Sequence, residues 1–251
     1  MEKVIEAQYD KLAKKYEFQY LDIDKQSELF LQIADKHLPK PDNNYRILDC
    51  SCGTGLQTIA LAKAGYHVVG SDISQEMLNI AKNNAKKQSL DIEFIRSSWV
   101  DLENNTKGPF DAVICWGSSI CHCNDQEHMY NALKSMYDLL NTDGVFLIDS
   151  RDWEKMLEKN ITYLFKGIRE INNKTVVPLY NWKLNELYKE NKLDIVYMQQ
   201  DKENTDMDIF ELSFFPYSVE FFKKVIQFAQ FKIEDLDYYE NELLYYVSAR
   251  K

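Results

Sequence analysis

Between residues 45 and 150 the chain alternates short apolar runs with segments whose apolar residues recur at helical spacing, and this alternation constrains the fold more than any other feature. Tyr45 to Cys50 is a short apolar run entering a glycine-containing turn, and Leu56, Ile59, Ala60 and Ala64 then share one helical face, with Gly65 as C-cap. A second run, His67 to Gly70, ends in Ser71-Asp72, after which Ser74 can cap a helix carrying Met77, Leu78, Ala81 and Ala85 on one face. The series continues with Ile92 to Ile95, Phe110 to Cys115, a helix through Met129, Leu133, Met136 and Leu140 that Gly144 ends, and Val145 to Asp149. Five buried strands separated by helices or loops predict an α/β fold, a doubly wound, mostly parallel sheet with right-handed crossovers.

The flanks read differently. Residues 2 to 18 and 25 to 38 are charged segments with apolar residues at helical spacing, stopped by Pro39 and Pro41, so two helices are expected ahead of the sheet. After Arg151 the period changes to two: Tyr180, Trp182 and Leu184 alternate with polar residues, as do Phe210, Leu212 and Phe214. That is the pattern of half-buried antiparallel strands, with a turn expected at Glu190 to Lys192 before a strand from Leu193 to Met198. A helix from Ser218 to Ala229 and strands at Phe231 to Leu236 and Leu243 to Ala249 complete the expected elements.

Composition narrows the partners. Forty acidic residues against 30 Lys and Arg leave a formal charge of -10, which repels a phosphate backbone and argues against nucleic acid. No apolar stretch is long enough to span a membrane, and Met1 to Phe30 lacks the apolar core of a secretory signal, so a cytoplasmic location is expected. Five cysteines, an odd number, read as reduced thiols, and Cys50-Ser51-Cys52 and Cys121-His122-Cys123 lack the usual C-x2-4-C spacing of a zinc site. No metal is expected.

The densest chemical signal is Ile47-Leu48-Asp49-Cys50-Ser51-Cys52-Gly53-Thr54-Gly55, a strand running through small residues directly into a helix. Glycines let the backbone approach a ligand, and the helix start offers free N–H groups to an anion. Asp72, at the end of the second strand, is placed to accept both hydroxyls of a ribose. Together these residues describe a site for an adenosine-containing ligand with an anionic group. Thr58 stands where a dinucleotide fingerprint needs its third glycine, and no Gly-Lys-Ser/Thr follows the turn, so nicotinamide, flavin and P-loop readings fail.

These residues resemble the class I S-adenosylmethionine-dependent methyltransferases, whose first motif is Asp-x-small-x-Gly-x-Gly with an acidic residue ending the second strand. The resemblance sharpens toward glycine N-methyltransferase and the bacterial glycine/sarcosine N-methyltransferases. It rests on Cys52-Gly53-Thr54-Gly55, Ala64-Gly65-Tyr66, Asp72-Ile73-Ser74, Ser98-Trp99, Cys115-Trp116-Gly117-Ser118-Ser119, Ile148-Asp149-Ser150-Arg151 and Leu212-Ser213-Phe214-Phe215-Pro216. It implies S-adenosyl-L-methionine as methyl donor, S-adenosyl-L-homocysteine as product, and cofactor contacts at Asp49, Ser51, Gly53, Gly55, Asp72, Ile73, Met77, Ser98, Trp99 and Cys115. It also implies a seven-stranded Rossmann-like domain spanning 1–251. Its parts are a helical lid at 1–40, a cofactor-binding core at 45–150, an inserted antiparallel layer on the substrate side at 151–215, and a final helix and strands at 216–251.

The matching arginine of that family grips the carboxylate of glycine, which makes Arg151 the expected substrate residue, with Ser118 beside the acceptor. Arg151 has a rival role as an ion-pair partner of Asp149 or Asp152. Ser118 replaces the family's asparagine and Phe214 one of its tyrosines, both losses of polar reach. Tyr9, Tyr16, Tyr180 and Trp182 are aromatic candidates to cover the site, and His122 is either a base or a structural histidine. The expected activity is N-methylation of a small carboxylate-bearing amine of the glycine/sarcosine type. Three alternatives stand beside it: N- or O-methylation of another small metabolite or natural product, a nucleic-acid methyltransferase, disfavoured by the acidic balance, and a non-catalytic adenosylmethionine sensor. Oligomeric state is left open.

Overall fold

The computed structural model describes residues 2–41, 44–202, 204–239 and 243–251. Its central sheet has seven strands in the order β11-β12-β5-β4-β1-β2-β3. These are β1 (Arg46–Asp49), β2 (His67–Asp72), β3 (Glu93–Arg96), β4 (Phe110–Cys115), β5 (Leu140–Arg151), β11 (Lys232–Tyr239) and β12 (Leu244–Arg250). β1 pairs in parallel with β2 and β4, β2 with β3, and β4 with β5, while β12 lies antiparallel to both β5 and β11. The mostly parallel, Rossmann-like sheet expected from the alternation is therefore present, with β4 at its centre and β1 beside it, where Ile47 and Leu48 are wholly buried. The chain reverses direction across the sheet between β1 and β4, which opens a crevice at their carboxyl ends.

Among the described residues eight α-helices flank the sheets: α1 (Glu2–Leu12), α2 (Ile23–His37), α3 (Leu56–Ala64), α4 (Gln75–Lys87), α5 (Leu102–Asn105), α6 (Gln126–Asp138), α7 (Trp153–Glu158) and α8 (Val219–Phe228). Caps set their starts: the Asp22 carboxylate accepts from Lys25 N at 2.9 Å before α2, and Ser74 Oγ accepts from Met77 N at 3.1 Å before α4. Two expected boundaries move. The first helix stops at Leu12, and residues Ala13–Gln19 tighten into a 3-10 segment. Likewise α6 ends at Asp138 rather than Gly144, because Leu140 is already drawn into pairing with Phe110 of β4.

The segment after Arg151 forms a second, antiparallel sheet of order β10-β9-β8-β6, with β7 also paired to β8. Its strands are β6 (Tyr163–Phe165), β7 (Arg169–Ile171), β8 (Lys174–Lys183), β9 (Asn191–Gln200) and β10 (Thr205–Phe214). The two short strands β6 and β7 carry too few residues for a period-2 pattern to register. The expected turn at Glu190 to Lys192 is displaced, since Asn191 already pairs with Phe214 in β9. Its buried amide instead closes the preceding loop by donating to the carbonyls of Glu186 and Lys189, both at 3.0 Å. One face of this sheet, including Tyr180, Trp182, Leu193, Ile195, Leu212 and Phe214, is buried toward the crevice. Trp182 packs edge-on to Trp153 at 5.3 Å and to Phe214 at 5.1 Å, ring pairs each worth about 0.5–1.5 kcal/mol beyond their buried area.

Candidate active site

At the carboxyl end of β1 the chain turns through residues 50 to 55 into α3. Gly53 and Gly55 both adopt left-handed backbone angles, φ +52° and +88°, which side chains disfavour. A Cβ on Gly55 would also lie 3.2 Å from that of Ala81 on α4. The turn is held by a carboxylate from the next strand: Gly53 N–H donates to Asp72 Oδ2 at 2.8 Å, and Ser74 N–H donates to Oδ1 at 2.9 Å. Burial raises the Asp72 pKa, while these two N–H groups pull it back. Ser51 Oγ donates to Trp116 O at 3.0 Å and accepts from Trp116 N at 2.9 Å, which joins the β1 turn to the loop after β4.

This turn is one wall of a slot of about 90 Å³, closed opposite by Ser98 and Trp99 and roofed by Ile5 and Tyr9 of α1 and by Tyr16. Trp99 Nε1 donates to Cys50 O at 2.7 Å, fixing the indole across the slot. Thr54 Oγ1, on the same wall, is buried without a hydrogen-bond partner. Of the ten residues expected to contact a cofactor, Ser51, Gly53, Asp72, Ile73, Ser98 and Trp99 line the slot. Asp49, Gly55, Met77 and Cys115 do not line it. The Asp49 carboxylate accepts from Thr58 Oγ1 at 2.6 Å and from Ser51 N at 3.4 Å, so it braces the turn from below. Burial pushes its pKa up to about 7. Gly55 starts α3, while Met77 and Cys115 are packed in the interior.

The slot opens into a cavity of about 480 Å³ between α2, the end of β5 and the inner face of the antiparallel sheet. Tyr9, Tyr16, Trp116 and Gly117 line both spaces. Arg151, the last residue of β5, lies in the cavity with its guanidinium carbon 5.1 Å from the centre of the Trp182 ring. Its Nε is buried without a hydrogen-bond partner, and among the described residues no ion pair reaches the side chain. The two acids that could have neutralised it are engaged elsewhere. Asp149 accepts from Ser118 N at 2.7 Å and Tyr239 OH at 2.5 Å. Asp152 caps α7 through Lys155 N at 3.0 Å and accepts from Tyr238 OH at 3.1 Å. Ser118, held in a left-handed conformation at φ 57°, presents a buried hydroxyl with no partner to the same cavity.

Where slot and cavity meet, His122 and Tyr9 form a fixed pair. A backbone carbonyl only accepts, so His122 Nδ1–H donates to Ser213 O at 2.7 Å, and Nε2 accepts from Tyr9 OH, also at 2.7 Å. Burial pushes the imidazole pKa down to about 4 and the Tyr9 phenol well up, so both are neutral near pH 7. This fits the structural reading of His122 better than a resting base. The five cysteines are buried free thiols, and among the described residues no cluster of three potential metal ligands occurs. Gln19 and Tyr239 line the cavity without having been anticipated, because one comes from a 3-10 segment and the other from a strand end, neither with a motif of its own; Gln57, in the first turn of α3, and Trp116 line it too. No helix among the described residues is long and apolar enough to cross a membrane.

Residues 47–144 match the methyltransferase domain family. The chain is also similar to glycine N-methyltransferases. It is 32% identical over 146 residues to the glycine/sarcosine N-methyltransferase of Aphanothece halophytica, covering 57% of this chain and 53% of that protein. It is 28% identical over 204 residues to human glycine N-methyltransferase, covering 73% of this chain and 68% of that one. The chain spans about half the length of the glycine/sarcosine N-methyltransferases it matches, 53%, 42% and 45% in three of them. The fold is shared with an S-adenosylmethionine-dependent methyltransferase from Clostridium acetobutylicum, with a TM-score of 0.74, 20% identity, and coverage of 96% of this chain and 98% of that one. It is shared equally with the CcbJ methyltransferase of Streptomyces caelestis, with a TM-score of 0.75, 15% identity, and 97% coverage of both chains.

Proposed function

We propose that this protein transfers a methyl group from S-adenosylmethionine to the nitrogen of a small carboxylate-bearing amine of the glycine/sarcosine type. The observation that carries this reading is the Arg151 guanidinium, which has no ion pair among the described residues, in the cavity next to the slot. The slot suits the donor: the Asp72 carboxylate stands ready for ribose hydroxyls, the orphaned Thr54 Oγ1 lacks a partner, and the N-terminus of α3 faces the turn. When bound, the donor supplies a methyl group on a positively charged sulfur, open to in-line displacement.

The chain's own residues then orient and exclude water. Arg151 offers two parallel, charge-assisted hydrogen bonds to a carboxylate, each worth about 1.5–3 kcal/mol. The Tyr9 proton is committed to His122, so the phenol oxygen can only accept, which suits an amine N–H at the junction of slot and cavity. Ser118 Oγ is a second partner for the amine. No strong base is required, because holding nucleophile and methyl carbon in line supplies most of the rate, and the product ammonium can lose its proton to water. A second reading, N- or O-methylation of another small metabolite, draws support from the extent of the cavity and from Phe214 and Ser118, where the resemblance expects longer polar side chains.

The test is S-adenosylhomocysteine production from S-adenosylmethionine with glycine, sarcosine and dimethylglycine against a control without acceptor, in wild type and Arg151→Ala. Turnover that collapses in the variant supports the carboxylate-amine reading. Turnover that is absent with all three, or indifferent to Arg151, refutes it.

A further inference from the structure

Beside the Arg151 guanidinium the cavity is walled by hydrocarbon that a glycine-sized acceptor leaves uncovered. Arg151 lies over Trp182 of β8, its guanidinium carbon 5.1 Å from the ring centre. In the register of the antiparallel sheet Trp182 stands next to Leu193 of β9, and Leu193 next to Leu212 of β10, so one row of side chains runs from the Arg151 seat across three strands. Ile195, two residues on in β9, points to the same face, and Phe214 packs edge-on to Trp182 at 5.1 Å. Leu193, Ile195, Leu212 and Phe214 all line the cavity, and Leu29 and Ile33 of α2 line it from the helix side. None of the six has a polar side-chain atom to offer a ligand, and Phe214 stands where the resemblance expects a tyrosine. The cavity measures about 480 Å³, within the 300–1,000 Å³ range of pockets that bury ligands much larger than glycine. An acceptor whose carboxylate sits on Arg151 carries its α-carbon one bond from that anchor, so a substituent on the α-carbon is the part of the molecule that meets this wall.

We propose that the preferred acceptor is an α-amino acid with a bulky apolar side chain, its carboxylate on Arg151, its amine at the junction of slot and cavity, and its side chain on Leu193, Ile195, Leu212 and Phe214. This rests on the carboxylate-amine reading above and specifies its substrate class. Glycine makes the same polar contacts but buries no side chain, so the apolar wall is what discriminates. Each methylene that leaves water for such a wall strengthens binding about fourfold.

The test measures acceptor binding to the complex with S-adenosylhomocysteine by calorimetry, beside methyl-transfer rates. It compares glycine, L-alanine, L-leucine, L-phenylalanine, L-asparagine and 3-methylbutylamine on wild type, Ile195→Thr and Leu193→Ala. Asparagine has nearly the shape of leucine with a polar tip, and 3-methylbutylamine is leucine without its carboxylate. The expected result on wild type is that leucine or phenylalanine binds at least about tenfold more tightly than alanine and than asparagine. That series carries the test even where a variant does not fold; in a variant that folds, the ratio of leucine to alanine affinity should fall at least about threefold. Glycine, alanine or asparagine binding as tightly as both leucine and phenylalanine, or a ratio unchanged in every folded variant, overturns the proposal and leaves the carboxylate-amine reading standing. Methylbutylamine matching leucine, or no binding and no turnover with any of the five amino acids, overturns both.

Discussion

Replacing Arg151 by methionine separates its two possible roles. The substitution keeps the length of the side chain and its packing over Trp182 but removes the charge and all donors. If the guanidinium holds a substrate carboxylate, two charge-assisted hydrogen bonds are lost, about 3–6 kcal/mol, or a fall in kcat/KM of roughly 10²- to 10⁴-fold. The stability ledger points the other way. Arg151 makes no ion pair among the described residues, and its buried Nε lacks an acceptor, a deficit of about 1–3 kcal/mol that the variant removes. Against this stands the loss of the cation–π attraction to Trp182, about 0.5–2 kcal/mol. The melting temperature and the affinity for S-adenosylhomocysteine should therefore hold or rise slightly while turnover collapses. Steady-state kinetics, calorimetry and thermal unfolding on the same preparation check all three. A variant that keeps turnover within threefold, or that unfolds and loses cofactor affinity together with activity, refutes the reasoning.

Three further outcomes are expected. Asp72→Asn removes the charge facing the slot and keeps an acceptor oxygen for only one of the Gly53 and Ser74 amides, so the Kd for S-adenosylhomocysteine should rise at least about tenfold in calorimetry; an unchanged Kd would mean that Asp72 does not contribute to the site. The pH dependence of stability should show two opposed slopes. Native Asp49 keeps its proton from the ordinary value of 3.8 up to about 7 while the unfolded chain has released it, so its contribution falls as pH rises through that window. His122, held neutral down to about 4 against an ordinary 6.5, contributes stability that is lost as pH falls from 6.5 to about 4. Relative to wild type, Asp49→Asn should then melt at temperatures that climb more steeply with pH between about 4.5 and 6.5, and His122→Gln less steeply; identical slopes in all three would contradict both shifts. Finally, α1 roofs the slot with Ile5 and Tyr9, so a ligand seated there packs against that helix. Hydrogen exchange in α1 should slow when S-adenosylhomocysteine is bound, and equal exchange with and without it would count against binding beneath α1.

Much of this architecture was legible in the chain because it depends on local patterns. The helical face of Met77, Leu78, Ala81 and Ala85, the cap at Ser74 and the run Ile47 to Asp49 each state their element within a few residues. The slot was legible for the same reason: its turn and Asp72 are written as contiguous motifs at the ends of neighbouring strands. What escaped lies where tertiary pairing overrides local signals. Gly144 reads as a helix stop, yet β5 already begins at Leu140 through its pairing with Phe110, and Asn191 reads as part of a turn until its amide is seen closing a loop from within a strand. Cys115 and Met77 sit inside matching motifs but face the core, since a motif records neighbours in sequence and not the side to which each side chain points.

The sequence by itself determined the parallel sheet, the glycine turn and the carboxylate that faces the slot, because periodicity and left-handed glycines act over a few residues. Only the tertiary structure decided whether Arg151 is free. Asp149 and Asp152 are its nearest acids along the chain, and nothing in their order reveals that one is taken by Ser118 and Tyr239 and the other by α7 and Tyr238. Those partners arrive from as far as 90 residues away, and so do Gln19 and Tyr180, which meet across 161. Long-range contacts of this kind follow from how the sheets pack, and they set which charges lack an ion-pair partner among the described residues.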